Sequence, residues 1–265
     1  MLIELALFCI KNGFGLVIGV SFNIFLESLL RMVVQTVVFG FTGLVLFVGT
    51  LVFMRIFSRE EGDVELYVAP ALVTFIAAVA YGLMTLSSAG YLSDGIVLHA
   101  RYVDWVLTTS LIVFTLATVA GASDTVKYKA IGANVVTIVL GYVASVTGGA
   151  VKWGAFVVAA ASFAVLIYYL VTALTESAKQ RPPAVESMFL GLRNLTVFLW
   201  IAYPALWLLT DGLGVMAPAD QDFLIAFMDI TSKLGFNLII ALRARAIRTS
   251  LGEQYLGGGE QSVTG

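Results

Sequence analysis

Between Asp222 and Arg243 the chain reads DFLIAFMDITSKLGFNLIIALR. The run from Phe223 to Leu242 is about one bilayer thickness of helix, with a carboxylate, Asp229, and an amine, Lys233, near its middle. A charge at that depth costs at least ~2.5 to 3.5 kcal/mol, so two of them in one span call for a site that compensates them. Their i, i+4 spacing puts both on one helix face, where each partly neutralises the other inside a bundle. Two readings are open. Either the pair is structural and locks helix packing, or Lys233 holds an aldehyde cofactor as a Schiff base with Asp229 beside the resulting cation.

With 60% hydrophobic and 12% charged residues, the 265-residue chain has too little polar surface for a soluble domain; it is expected to be a multi-pass protein of the cell membrane, surrounded by lipid. The formal net charge of -2 gives no electrostatic case for a nucleic-acid partner. Cys9 is the single cysteine and His99 the single histidine. That excludes an internal disulfide, a thiolate metal site and a membrane-embedded Ser/His/Asp triad, so no metal and no enzymatic activity are expected.

In residues 1–31, Glu4, Lys11, Asn12, Asn23 and Glu27 interrupt every apolar run before it reaches spanning length. This extension is expected not to span. It reads as an interfacial helix, a signal peptide, or sequence upstream of a true start at Met32, the last being preferred. Seven apolar segments of spanning length follow, at 33–54, 66–86, 101–120, 130–146, 153–173, 193–209 and 223–242, with short polar loops between them. The fold class is therefore an all-α membrane bundle of seven helices over residues 32–248, followed by a flexible tail, 249–265, containing GGGEQ. Loops on one side carry Arg55, Arg59, Lys127, Lys129, Lys179 and Arg181, joined by Arg193, Arg243, Arg245 and Arg248, whereas the other side's loops carry only Lys152. The positive side is assigned to the cytoplasm, so the bundle begins outside and ends inside.

At membrane depth this sorting leaves Arg101, Asp104, Asp229 and Lys233, two acids and two bases, which favours a single internal site. The third segment reads ARYVDWVLTTSLIVFT. Arg101, Asp104, Thr108 and Thr115 fall at i, i+3, i+7 and i+14, one interior stripe that supplies a charge modulator, a proton acceptor and a hydroxyl relay at Thr108. Thr109 and Ser110 read equally well as a packing face. In the sixth segment, RNLTVFLWIAYPALWLL, Trp200, Tyr203 and Trp207 form an aromatic stripe, and Pro204 kinks the helix or frees the carbonyl of Trp200. Together with Trp105 these rings suit a slot for a long, planar, apolar cofactor.

The stretches RYVDWVLTT, RNLTVFLWIAYPALWLL and DITSKLGF resemble the third, sixth and seventh helices of the microbial rhodopsins, the seven-helix retinal proteins, with coverage from about Met32 to the tail. The resemblance implies that Lys233 binds all-trans retinal, that Asp104 is primary counterion and proton acceptor, that Asp229 is second counterion, and that Arg101 belongs to their hydrogen-bonded cluster. It also implies that Trp105, Trp200, Tyr203 and Trp207 line the pocket, joined by Tyr102, Thr109, Asn134 and Ser232, with Tyr81 near Arg101 and Asp229.

Pumps of the bacteriorhodopsin type carry an aspartate eleven residues after the counterion; here that position is Thr115. A threonine cannot donate a proton near neutral pH, so slow recovery is expected. LIYYLVTALTESAKQR, IAAVAYGLM and RNLTVFLW are similar to sensory rhodopsin II receptors, as is Asn134. Ser232 keeps the hydroxyl of a receptor threonine that pairs with the tyrosine matching Tyr203. Phe227 stands where the receptors have a transducer-contacting tyrosine, Ser110 where receptors and pumps both have proline, and the outer-loop set Asp211, Asp220, Gln221 and Asp222 where the pumps have a glutamate pair, a mixture that resembles the middle rhodopsins. The function implied is a light receptor that signals to a membrane transducer. The alternatives are a light-driven outward proton pump and a retinal-free transporter or scaffold. A homo-oligomer is compatible with either light-driven reading.

Overall fold

The apolar runs form seven helical spans in the computed structural model, which describes residues 15–58, 64–93 and 95–257, with side chains described over 25–243 except at 27, 59–66 and 94. The spans are Ser28–Phe57, Tyr67–Ser88, Ile96–Ala120, Asp124–Val146, Gly149–Ala178, Pro183–Gly212 and Pro218–Arg243, and no strand occurs among the described residues. Helices are the required answer in hydrocarbon, because each satisfies its own backbone donors and acceptors without water. The first four spans lie in α1 (Gly15–Phe57), α2 (Val64–Ser88), α3 (Ile96–Ala120) and α4 (Asp124–Val146). The fifth comprises α5 (Gly149–Val171) and α6 (Ala173–Ala178), the sixth α7 (Pro183–Trp200) and α8 (Ala202–Trp207), and the last lies in α9 (Pro218–Gly257).

The chain ends its helices where sequence chemistry dictates. After α3, Gly121 takes φ +67° and its N–H reaches Thr118 O at 3.0 Å while that of Ala122 reaches Ala117 O at 3.0 Å, a paired closure that a left-handed residue permits. Pro183 opens α7 at a position whose N–H has no helical partner anyway. Further along, Pro204 has no N–H to offer the carbonyl of Trp200, and the helix divides at Ile201. A π-helical turn, Leu208–Gly212, then completes the span.

Packing follows chain order: α1 lies on α2, α2 on α3, α3 on α4 and α4 on α5, while α9 closes the bundle against α1 and α7. One buried layer gathers Phe53, Leu116, Leu166, Phe189 and Ile240; another, around Phe39, Leu46, Tyr81, Met84 and Ala226, fills the opposite half. Val37, Phe41, Phe198, Phe223 and Leu238 point outward. An apolar exterior over a partly polar interior is the arrangement a lipid solvent demands, and the chain is a multi-pass membrane protein.

Three boundaries differ from those read by hydropathy. The first helix is continuous from Gly15, so residues 15–31 extend it, while residues 1–14 of the expected extension lie outside the described residues. α9 continues to Gly257, and residues 258–265 of the expected tail lie outside the described residues. Most consequential for the site, α9 starts at Pro218, so Asp220, Gln221 and Asp222 are helical rather than loop residues. Hydropathy marks the apolar depth of a helix, not its hydrogen-bonded length, and the polar first turns were therefore invisible to it.

Candidate functional site

Lys233 is one helical turn beyond Asp229 on α9, and the face they share looks across the bundle at α3. The ammonium donates to Asp104 Oδ2 at 2.5 Å and to Asp229 Oδ2 at 3.3 Å. All three residues are buried. Tyr81 of α2 donates its hydroxyl to Asp229 Oδ2 at 3.0 Å, and Tyr203 of α8 donates to Oδ1 at 2.6 Å. Both oxygens of Asp229 are thereby committed. Asp104 has the shorter contact to the amine, and its Oδ1 has no hydrogen-bond partner.

That asymmetry divides the two carboxylates chemically. A carboxylate holding two tyrosine protons is stabilised as a fixed negative charge, whereas one with a free oxygen, 2.5 Å from the amine through the other, is placed to exchange a proton with it.

The stripe Arg101, Asp104, Thr108 and Thr115 is buried along its whole length. Its members do not act as one cluster, however. Arg101 donates through Nη2 to Asp222 Oδ1 at 2.5 Å, and no hydrogen bond joins it to Asp104 or Asp229. The expected neutral foursome is therefore corrected to two groups, an inner set of one cation with two carboxylates and an outer ion pair. In the sequence Asp222 reads as an outer-loop acid, because it lies just before the apolar run, and nothing there pairs it with Arg101. Thr108 donates to the backbone carbonyl of Asp104 at 2.8 Å, and Thr115 to that of Leu111 at 2.9 Å, so each hydroxyl proton is committed to its own helix. Tyr203 spends its proton on Asp229, and no hydrogen bond joins it to Ser232.

A cavity opens beside Lys233 between α3, α4, α5 and the sixth span, lined by Trp105, Thr109, Asn134, Ser145, Phe156, Phe163, Trp200, Tyr203, Trp207 and Ser232 among others. Trp105 meets Tyr203 edge-to-face at 5.2 Å and 85°, and Phe156 stacks on Trp207 at 4.4 Å and 12°. Asn134 donates to Thr109 Oγ1 at 2.8 Å and to Ser110 Oγ at 3.1 Å, tying α4 to α3 beside the cavity. Tyr102 reaches Ser145 Oγ at 2.8 Å and Gly141 O at 3.2 Å.

Ser145 is the wall residue that sequence reasoning missed. It receives the Trp207 indole N–H at 2.7 Å as well as contacting Tyr102, so one small hydroxyl fixes two of the rings. A signal was available, since Asn134, Gly141 and Ser145 fall at i, i+7 and i+11 on α4. Phe156 and Phe163, at i and i+7 on α5, carry the same kind of signal. Replacing Ser145 by alanine strands the buried Trp207 N–H and is expected to cost about 1–3 kcal/mol, read as a lowered unfolding midpoint of the purified protein. A midpoint equal to wild type would show that Trp207 finds another acceptor.

A long, planar, apolar aldehyde fits this donor set. The single amine at one end of the slot carries a carboxylate on each side, the side walls are rings, and the indole N–H of Trp105 is buried without a partner.

Residues 33–247 match the family model described as bacteriorhodopsin-like protein. The chain is 36% identical over 231 residues to sensory rhodopsin-2 of Natronomonas pharaonis, covering 85% of this chain and 96% of that protein. It is 32% identical to sensory rhodopsin III of Haloarcula marismortui, covering 77% and 89%. Among solved structures, thermophilic rhodopsin from Rubrobacter xylanophilus superposes with a TM-score of 0.73 at 31% identity, covering 80% of this chain and 97% of that one.

Proposed function

The chain belongs to the bacteriorhodopsin-like protein family, and from that premise we propose that it is a retinal-binding light receptor of the sensory rhodopsin II or middle-rhodopsin kind. Its cofactor is all-trans retinal, which when bound supplies light absorption and an isomerisation that moves the charge at its attachment point. Lys233 Nζ is the attachment atom. Asp104 Oδ2, the nearer carboxylate oxygen, takes the proton that leaves that nitrogen; Asp229, pinned by Tyr81 and Tyr203, keeps its charge throughout. Trp105, Trp200, Tyr203 and Trp207 shape the slot, Tyr102, Thr109, Asn134 and Ser232 complete its polar edges, and the packed rings keep bulk water from the amine. These are binding and proton-holding roles, and no bond of a substrate is broken.

Thr115 is the observation that carries the receptor reading over the pump. On the far side of Lys233 from the arginine, it is buried, it has no acidic proton, and it donates its hydroxyl to Leu111 O. A buried hydroxyl so placed cannot resupply a proton at neutral pH, and the long-lived deprotonated state that results is suited to signalling. Residues 32–248 form the retinal-binding unit in this reading, with the Lys- and Arg-rich end in the cytoplasm and a membrane-embedded transducer as signalling partner.

The test is illumination of vesicles containing the retinal-loaded protein while external pH is followed. Wild type is expected to show little sustained transport, and Thr115→Asp at least about ten-fold more, because a carboxyl there restores the donor. Strong sustained transport by wild type would support the runner-up, a light-driven proton pump.

A further inference from the structure

The arginine of α3 is held by a latch built from both ends of the chain. Arg101 Nη2 donates to Asp222 Oδ1 at 2.5 Å, and the second oxygen of Asp222 accepts the Gln35 Nε2 proton at 2.7 Å. Asp222 therefore bridges α9, α3 and α1. Arg101 is 6% exposed, as is Asp222, so this pair is little weakened by solvent. Arg101 also lines the same cavity as Asp229 and Lys233, and its Nε is buried without a partner. The guanidinium thus has carboxylates on two sides: Asp222 toward the Lys-poor end, and the inner set, where two carboxylates share one ammonium.

We propose that Asp222, with Gln35 behind it, is a positioning residue that holds Arg101 away from Asp104 and Asp229 in the dark and so sets the electrostatic field those carboxylates exert at Lys233. This rests on Lys233 being the retinal attachment point. The inner set carries one more negative than positive group and attracts the guanidinium. Only a charge on the opposite side, fixed by its own donor, keeps the arginine out. With Asp222 neutralised, Arg101 turns inward and offsets part of the negative field at the attachment nitrogen. A weaker counterion field lowers the excitation energy of a cationic chromophore whose charge moves away from that nitrogen on excitation, so the band moves to longer wavelength.

The experiment records the absorption band of Asp222→Asn, Gln35→Met, Arg101→Gln and the Arg101→Gln/Asp222→Asn double variant, each loaded with all-trans retinal. In parallel, the guanidinium 15N resonance of Arg101, identified by its loss in Arg101→Gln, is followed in the retinal-free protein. Asp222→Asn is expected to shift the band to longer wavelength and to move the resonance. Gln35→Met shifts both in the same direction by less, and Asp222→Asn adds nothing in the Arg101→Gln background. An unmoved band and resonance in Asp222→Asn overturn the latch, as does an equal band shift in the Arg101→Gln background. Should Asp222→Asn fail to fold, an unshifted Gln35→Met has the same force. If even wild type forms no coloured adduct, the attachment reading fails, while the resonance still judges whether Asp222 positions Arg101.

Discussion

In the Lys233→Ala variant, added all-trans retinal produces none of the visible absorption that the wild-type chain develops, because no other amine opens onto the slot. Lys233 is the cavity's lysine, and the other cation on its wall, Arg101, has a guanidinium that does not condense with aldehydes and is engaged by Asp222. The same substitution acts on stability. Removing the ammonium leaves Asp104 and Asp229 buried without the cation they share, and an uncompensated buried charge costs about 3–5 kcal/mol. Lys233→Ala is therefore expected to unfold at lower temperature than wild type, and the second substitution in Lys233→Ala/Asp104→Asn recovers part of the loss. A coloured Lys233→Ala protein would instead favour a retinal-free reading of the ion cluster, with colour arising elsewhere on the chain.

The second large effect belongs to Asp104. In Asp104→Asn the nearest carboxylate becomes an amide, and the light-induced loss of the proton at Lys233 Nζ is expected to slow by on the order of 10²-fold or more, measured as the appearance of the deprotonated species after a flash. Asp229 does not replace it. Its Oδ2 lies 3.3 Å from the amine and already accepts from Tyr81, while Oδ1 accepts from Tyr203. The dark band moves to longer wavelength in the same variant, since the closest negative charge has gone. Unchanged deprotonation kinetics in Asp104→Asn would transfer the acceptor role to Asp229.

How much of this was legible in the sequence depends on the kind of signal each residue gives. The spans were readable because bilayer thickness demands long apolar runs, and Asp104, Asp229 and Lys233 stood out because a charge in such a run is costly. The buried stripe of α3 followed from helical spacing alone. Asp222 gave no such signal: at the polar border of the last run it reads as a loop acid, and only the helix start at Pro218 turns it inward toward Arg101. Ser145 and Gln35 are uncharged residues whose importance lies in what crosses to them from other helices. Helical spacing puts Thr108 and Thr115 on the buried face of α3, yet whether a hydroxyl serves a neighbour or its own backbone is decided by a rotamer that spacing does not encode.

Recovery of the dark spectrum after a flash, recorded on the retinal-loaded wild-type protein with and without azide as a diffusible proton donor, separates receptor from pump. Slow recovery that azide accelerates is expected, since Thr115 leaves the attachment nitrogen without an internal donor. Fast recovery indifferent to azide would reveal another donor within the bundle and make the protein a pump.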